Sequence, residues 1–455
     1  MIRRVACAAL CAVAIGAAWN GRASAQDPTV ANIAAIDEVF KRNGATDAEI
    51  EEQNATLLSQ SPADVAKFAE RMSHASPDTV LKRIAYLRSL QGEQSEHPTL
   101  KLGSPLPDFN LKGVDGKMHT PADYKDSPIL VVMFISNHCP VAQLYETREK
   151  KLYEDYARKG VAFVAIQPDN VEATGLTENQ HSDLDDSYES MVKRAAYRHF
   201  PFPYLDDGEK QEAADKFGPK VTPHIFIFDK DRKLRYEGRI DDNIREARAK
   251  THDARDALDA MLAGKPVAVE HTPVFGCSTK WKSRTEAVQK ETKEWLARPV
   301  TVESVSLDGL KQLRKNDSGK MLMINFWATW CGPCRTEYPD LLTTYQWYRA
   351  RHFDFVSVSV DSPESKKEVQ EVLAEMHSGV RNLQIDTEDV YAAQKAFDPS
   401  WESGVPYTIV LSPEGKVIYR AEGEVDILKM RRAILASYGD TETGQFAGHA
   451  DYWKQ

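Results

Sequence analysis

Residues 325–339 read Asn325-Phe326-Trp327-Ala328-Thr329-Trp330-Cys331-Gly332-Pro333-Cys334-Arg335-Thr336-Glu337-Tyr338-Pro339. Upstream, Met321 to Trp327 is apolar and rich in strand formers. Downstream, from Tyr338 through Leu342, apolar residues recur at helical spacing. Cys331 therefore falls on a strand-to-helix turn, beside the helix N-terminus, where free backbone N–H groups and the helix dipole stabilise a thiolate. A thiolate attacks a disulfide through a mixed-disulfide intermediate, and a second thiol resolves it. Pro333 suits the first helical turn, where a missing N–H costs nothing. A zinc site would need a second ligand pair, and no CxxC or HxxxH follows. Haem attachment would need histidine where Arg335 stands. An inert structural disulfide is the remaining alternative, and Trp330 and the Gly-Pro spacer speak against it.

The Trp-Cys-Gly-Pro-Cys motif resembles the thioredoxin superfamily. The Arg335-Thr-Glu-Tyr-Pro339 continuation narrows the likeness to TlpA-like thiol–disulfide oxidoreductases, over about 300–438. That resemblance implies Cys331 as nucleophile, Cys334 as resolving thiol and Trp330 as a shield. It also implies Pro406, after Val405, as a cis-proline facing the pair. Glu337, three residues after Cys334, is implied as the group that tunes the thiol pKa; the alternative is a solvated first-turn acid. Cytoplasmic thioredoxins carry a buried Asp before Phe-Trp, whereas this chain has Asn325, which leaves proton transfer to Glu337 or water.

A second unit begins near Leu100. A short hairpin turns at Asp115-Gly116, Ile129 to Ile135 is a continuous apolar run, and a helical pattern extends from Gln143 to Arg158. Strands follow at Val161–Gln167, Ile225–Phe228 and Leu234–Arg239, and a helix at Thr251–Leu262. The later half repeats this order, with a strand to Trp327, a helix, strand Phe355–Val360, a helix, strands Tyr407–Leu411 and Val417–Arg420, and a helix Val425–Tyr438. Cys331 follows Cys139 by 192 residues and Pro406 follows Pro223 by 183. The fold expected is α/β, with two tandem thioredoxin-fold domains preceded by a short helical segment.

The earlier unit, about 100–266, is similar to peroxiredoxin-like redoxins of the alkyl hydroperoxide reductase/thiol-specific antioxidant group. Ser136-x-x-Cys139 matches their peroxidatic motif, in which the hydroxyl orients the peroxide. The position of a CxxC partner holds Ala142, so no dithiol forms within this turn. Lys220-Val-Thr-Pro223 stands where peroxiredoxins place an activating arginine; His138 or Lys220 is then the source of positive charge near the thiolate. A Phe275-Gly-Cys277-Ser-x-Lys-Trp281 segment accompanies Asn137-His-Cys-Pro140 in the family this half resembles, which implies Cys277 as resolving partner of Cys139. A permanent Cys139–Cys277 disulfide, or an inert domain, is the alternative. Asp241-Asp242-Asn243 matches no metal loop, and Asp183, Asp185 and Asp186 are expected to be solvated.

The first 25 residues read as a signal peptide, with basic Arg3 and Arg4, apolar Val5–Ala18 and a small-residue site at Ala23-Ser24-Ala25. Its loss would remove Cys7, Cys11 and three arginines, moving the net charge from −10 to −13. That acidity speaks against nucleic acid as a partner. The expected organisation is signal peptide 1–25, helical segment and linker 26–98, redoxin domain 99–266, connector 267–299, TlpA-like domain 300–439 and a loosely held polar tail 440–455. The expected protein is a periplasmic thiol–disulfide oxidoreductase with no transmembrane anchor. No flavin or nicotinamide motif is present, so recharging by a membrane electron donor is expected, with disulfide-bearing clients such as apocytochrome c. A relay in which the Cys331/Cys334 dithiol reduces a Cys139–Cys277 bridge in the same chain is also expected. Its rivals are a thiol peroxidase with Cys139 peroxidatic and the second domain as its reductant, giving antioxidant activity, and a redoxin adaptor that presents the second domain to its client.

Overall fold

The computed structural model describes residues 28–58, 60, 62–438 and 449–454. The expected signal peptide, with Arg3, Arg4, Cys7 and Cys11, lies outside them. The chain divides into two units, 1–91 and 92–455.

In the first unit, helices α1 (Pro28–Arg42), α2 (Asp47–Leu58), α3 (Pro62–Ser73) and α4 (Pro77–Glu96) start at or next to the prolines and Asp47 that favour helix N-termini. Apolar residues of these helices meet in one core, with Ile36, Phe40, Val65, Val80, Ile84 and Leu87 buried. Glu49 links α2 to α4: it accepts from the Thr46 N–H at 2.6 Å and pairs with Arg88 at 2.8 Å. Helix α4 runs on to Glu96, through the polar stretch expected to be a linker. Polarity there does not break the helix.

In the second unit the thioredoxin fold is built twice. Its first copy contains β1 (Leu111–Gly113), β2 (Met118–His119), β3 (Ile129–Phe134), α5 (Pro140–Tyr156), β4 (Val161–Gln167), α6 (Tyr188–Arg198), β5 (Tyr204–Asp206), α7 (Glu212–Phe217), β6 (Val221–Thr222), β7 (His224–Phe228), β8 (Leu234–Gly238) and α8 (Asp253–Leu262). The connector supplies β9 (Cys277–Ser278) and α9 (Thr285–Leu296). The second copy comprises β10 (Val302–Val305), α10 (Leu307–Lys315), β11 (Met321–Trp327), α11 (Gly332–Tyr348), β12 (Phe353–Ser359), α12 (Lys366–Glu375), β13 (Arg381–Ile385), α13 (Val390–Phe397), β14 (Tyr407–Leu411), β15 (Val417–Glu422) and α14 (Ile427–Ser437).

The sheets run β2-β1-β5-β4-β3-β7-β8 and β10-β13-β12-β11-β14-β15. Strands β3 and β11 are the counterparts at their centres, each parallel to the next strand in sequence and antiparallel to the strand after a cis-proline. Both are buried along their whole length, which is why they read as unbroken apolar runs. Each feeds its cysteine into the N-cap of the next helix: Cys139 accepts from the Ala142 N–H at 3.4 Å, Cys331 from that of Cys334 at 3.3 Å. Helix α5 thus starts at Pro140, three residues before the helical periodicity shows.

The tail departs from expectation. Residues 449–454 form a helical turn whose Tyr452 and Trp453 are buried. The Tyr452 hydroxyl accepts from Arg194 at 2.7 Å and donates to Glu146, and His449 Nε2 meets Gln143 Oε1 at 2.6 Å. Burial of each large ring contributes on the order of 1.5–3 kcal/mol, which outweighs the polarity that suggested a loose end. The acidic run is likewise not solvated. Asp183 is buried between Arg194 at 2.7 Å and Arg432 at 2.6 Å, and Asp186 is buried at the Cys139 site. Asp241 is buried against Arg148 at 2.7 Å. In each case arginine supplied from a distant element, or the adjoining imidazole, compensates the buried carboxylate, and local composition carries no trace of it.

Candidate functional site

Two cysteine turns occupy matching places, at the carboxyl ends of β3 and β11. In the second copy Cys331 and Cys334 form a disulfide, with Cys331 5% exposed and Cys334 fully buried. The turn ahead of them is pinned by Asp361, which accepts from the Thr329 N–H at 2.9 Å and its hydroxyl at 2.8 Å. Trp330 is 73% exposed, beside the dithiol. The Val405–Pro406 bond is cis. Glu337 is buried, not solvated, and takes hydrogen bonds from Asn325 Nδ2 at 3.3 Å and the Val425 N–H at 2.9 Å. Burial pushes its carboxyl up to about 7, with Glu424 adding like charge, against the opposing effect of the two donors.

In the first copy Cys139 and Cys277 are both free thiols, the first fully buried and the second partly exposed. The Cys139 thiol donates to the Thr222 carbonyl at 3.0 Å. Strand β9 pairs antiparallel with β6, placing Cys277 opposite Thr222, the residue before cis-Pro223. The connector therefore lies along the edge beside the cis-proline. Gly276 makes this possible, since a Cβ there would overlap the Thr222 carbonyl oxygen. The two thiols interact directly. Burial raises the Cys139 pKa, but the Cys277 thiol, the His138 charge and the Ala142 N–H together bring it down to about 6. Cys277 is pushed up, first by its hydrogen bond to Cys139 and then by burial. Ser136 does not touch sulfur in this state; its hydroxyl meets that of Thr222 at 2.9 Å.

Positive charge comes from His138. Its Nδ1 bonds Asp186 and lies 3.6 Å from Asp169 Oδ2, and these carboxylates raise the imidazole to about 9 against the effect of burial. The three groups lie within 4.8 Å of one another, close enough for a metal ion. The ring nitrogen is committed to Asp186, and Asp169 Oδ1 to the Lys280 N–H at 2.7 Å, so the arrangement is a chain of ion pairs. The sequence reading missed both aspartates. Asp169 did carry a signal, since it sits two residues past β4, as Asp361 sits two past β12, at the strand ends where α/β sites gather.

Comparison with known proteins adds the following. The AhpC/TSA family model matches residues 102–237 and 288–420, more than half of the chain and once per thioredoxin fold. The chain is 32% identical over 110 residues to the thiol-disulfide oxidoreductase ResA of Bacillus subtilis, 24% of this chain and 56% of that protein. It is 31% identical over 126 residues to the thiol:disulfide interchange protein HelX of Rhodobacter capsulatus, 27% of this chain and 65% of that one. These matches span about half to two thirds of each relative. A hypothetical protein from Sinorhizobium meliloti 1021 is 35% identical, covering 41% of this chain and 97% of its own, with a TM-score of 0.36. Among the described residues no helix is long and apolar enough to cross a membrane. With the family model matched on both folds, the chain belongs to the AhpC/TSA family of thioredoxin-fold redoxins.

Proposed function

We propose that the protein is a thiol–disulfide oxidoreductase whose working pair is Cys331 and Cys334. The observation that carries this is a Cys-Gly-Pro-Cys disulfide at a helix N-terminus, beside a cis-proline and a buried carboxyl. In the reducing direction the Cys331 thiolate attacks a client disulfide, and Cys334 resolves the mixed disulfide. Glu337, titrating near neutrality, manages the resolving proton. Trp330 and the edge beside Pro406 face the client. The chain's likeness to the thiol-disulfide oxidoreductase ResA and the thiol:disulfide interchange protein HelX supports this reading. Action outside the cytoplasmic membrane, recharging by a membrane electron donor, and clients of the apocytochrome c type complete the proposal. Replacing Cys331 by Ala is expected to abolish reduction of insulin disulfides; activity surviving that change would refute the assignment of the nucleophile.

A second reading is favoured by the low Cys139 pKa and the adjacent Cys277. In it Cys139 and Cys277 cycle between dithiol and disulfide, either in exchange or as a peroxidase. In the peroxidase the thiolate attacks hydrogen peroxide, the O–O bond breaks, and a sulfenic acid and hydroxide result, the hydroxide taking a proton from solvent to become water; the Cys277 thiol then condenses with the sulfenic acid and releases a second water. Consumption of hydrogen peroxide by the Cys331→Ala chain, lost on Cys139→Ser, would establish the peroxidase. Disulfide mapping after mild oxidation tests the pair itself.

A further inference from the structure

The loop between β4 and α6 grips the turn that ends in Cys139. Asp186 accepts from the backbone N–H groups of Asn137 and His138 at 2.6 and 3.3 Å, and the Asp185 carbonyl takes Asn137 Nδ2 at 2.8 Å. The Ser182 hydroxyl donates to the Asn137 carbonyl at 3.1 Å, an oxygen it shares with Gln143 Nε2 at 2.7 Å. Residues 182–186 thus hold Asn137 by its N–H, its carbonyl and its side chain. The same run is held from its other side by the second fold. Tyr348 on α11 donates to the Ser182 carbonyl at 2.7 Å; Arg431 and Arg432 on α14 donate to the Asp183 carbonyl at 3.2 Å and its carboxylate at 2.6 Å. Arg194 on α6 completes the clamp, reaching Asp183 at 2.7 Å and the Ser182 hydroxyl at 3.0 Å. Ser182, Asp183 and Asp186 are all buried, and only Leu184 and Asp185 separate the carboxylate tied to the second fold from the one beneath the cysteine turn. Cys139 itself has no exposed surface.

We propose that the docked second fold, acting through residues 182–186, holds the Cys139 turn shut, and that release of this dock opens the turn and exposes the Cys139 thiol. A fully buried thiol reacts only from states in which its surroundings have opened locally, so its rate follows the population of those states. The loop is a contiguous chain of hydrogen bonds from α11 and α14 to Asn137, and every tie it loses to the second fold raises that population. The coupling runs both ways: a partner that captures the opened Cys139 turn weakens the dock by the same factor. Tyr348 and Arg432 are therefore positioning residues for a cysteine on the other fold. Undocking frees the second fold and opens the Cys139 turn in one event, which are the two conditions for any exchange between the cysteine pairs. The proposal concerns access to Cys139 and goes beyond the assignment of either pair.

The test uses the full chain, reduced, with Cys331 and Cys334 replaced by Ser. Addition of N-ethylmaleimide to Cys139 and Cys277 is followed by peptide-resolved mass spectrometry, alongside amide hydrogen exchange at Asn137, His138 and β3. Arg432→Ala is expected to speed addition to Cys139 on the order of tenfold and to leave the already accessible Cys277 within about twofold of the parent. Exchange at Asn137 and His138 should quicken while that of β3 stays unchanged. Tyr348→Phe, which removes one hydroxyl from a different helix and keeps the buried ring, is expected to act in the same direction. Arg432→Lys, which can still reach the Asp183 carboxylate, should return Cys139 towards the parental rate. A merely structural role would lower global stability and quicken β3 together with Asn137 and His138. That outcome, or a Cys139 rate unmoved in both Arg432→Ala and Tyr348→Phe, overturns the proposal. Failure of the parent to form a Cys139–Cys277 bridge on mild oxidation overturns the reading of those two as redox partners and leaves the access result standing, so the two failures are distinct.

Discussion

Glu337 joins burial to chemistry at a single residue. Its carboxyl titrates at about 7 against an ordinary 4.5, because burial penalises the anion more than the donors at Val425 and Asn325 favour it. Below that pH it is a neutral acid one helical turn from Cys334; above it, a base able to take the resolving proton. Glu337→Gln is expected to remove an inflection near pH 7 from the kcat/KM profile for disulfide reduction and to lower the rate on the order of a hundredfold. The stability consequence has a definite sign. A folded-state pKa above the unfolded one means the folded protein holds the proton more tightly, so ionisation costs stability as pH rises from the unfolded value through about 7. The Gln variant should therefore melt higher than the parent at pH 8 and alike at pH 4. Residues of this kind were legible in the sequence, since Cys331, Cys334 and Glu337 lie within seven positions on one helix start. Asp186 was not, because it reaches His138 from 48 residues away, and local spacing is blind to such a pair.

Among elements, β9 is two residues long and yet occupies the edge beside cis-Pro223. By pairing with Thr222 beside cis-Pro223, it covers an edge that in the second fold adjoins the dithiol, and it brings its own cysteine. Gly276→Ala is expected to push the connector off this edge, since the new methyl would overlap a backbone oxygen that cannot move cheaply. Disulfide mapping after mild oxidation should then show at least a tenfold fall in Cys139–Cys277 bridge, with insulin reduction by Cys331 unchanged. A bridge formed at the parental level would mean that the register of β9 is not what holds the pair. No periodicity reveals a two-residue strand, whereas the buried seven-residue runs of β11 and β4 announce themselves. Strand β13 was missed for another reason. Its buried Asn382 and Gln384 break the apolar pattern, and each is satisfied by backbone carbonyls, those of Ser378 at 2.9 Å and Ser362 at 2.6 Å.

At the scale of the whole molecule, the way the two thioredoxin folds dock bears on whether one can reduce the other. The second fold meets the 180–183 loop through Tyr348 to the Ser182 carbonyl at 2.7 Å and Arg351 to that of Gln180 at 2.8 Å. It also reaches the loop through Arg432 to the Asp183 carboxylate at 2.6 Å. Tyr348 is the last residue of α11 and Cys331 its N-cap, 17 helical residues apart, so the dithiol lies about 25 Å along the axis from the docked end. Tethering would ordinarily raise the effective concentration of one pair at the other to about the millimolar range, but only when the geometry lets them meet. The dithiol sits at the end of α11 opposite this dock, so exchange between the pairs is expected to need a second molecule or release of the dock. The rate at which a reduced Cys331/Cys334 pair opens a Cys139–Cys277 bridge, followed by rapid acid trapping and mapping, is therefore expected to rise in proportion to protein concentration. Arg432→Ala, which removes one tie to Asp183, should add a component independent of concentration. A parental rate independent of concentration would show that the dock opens faster than molecules meet, and that the relay runs within one chain.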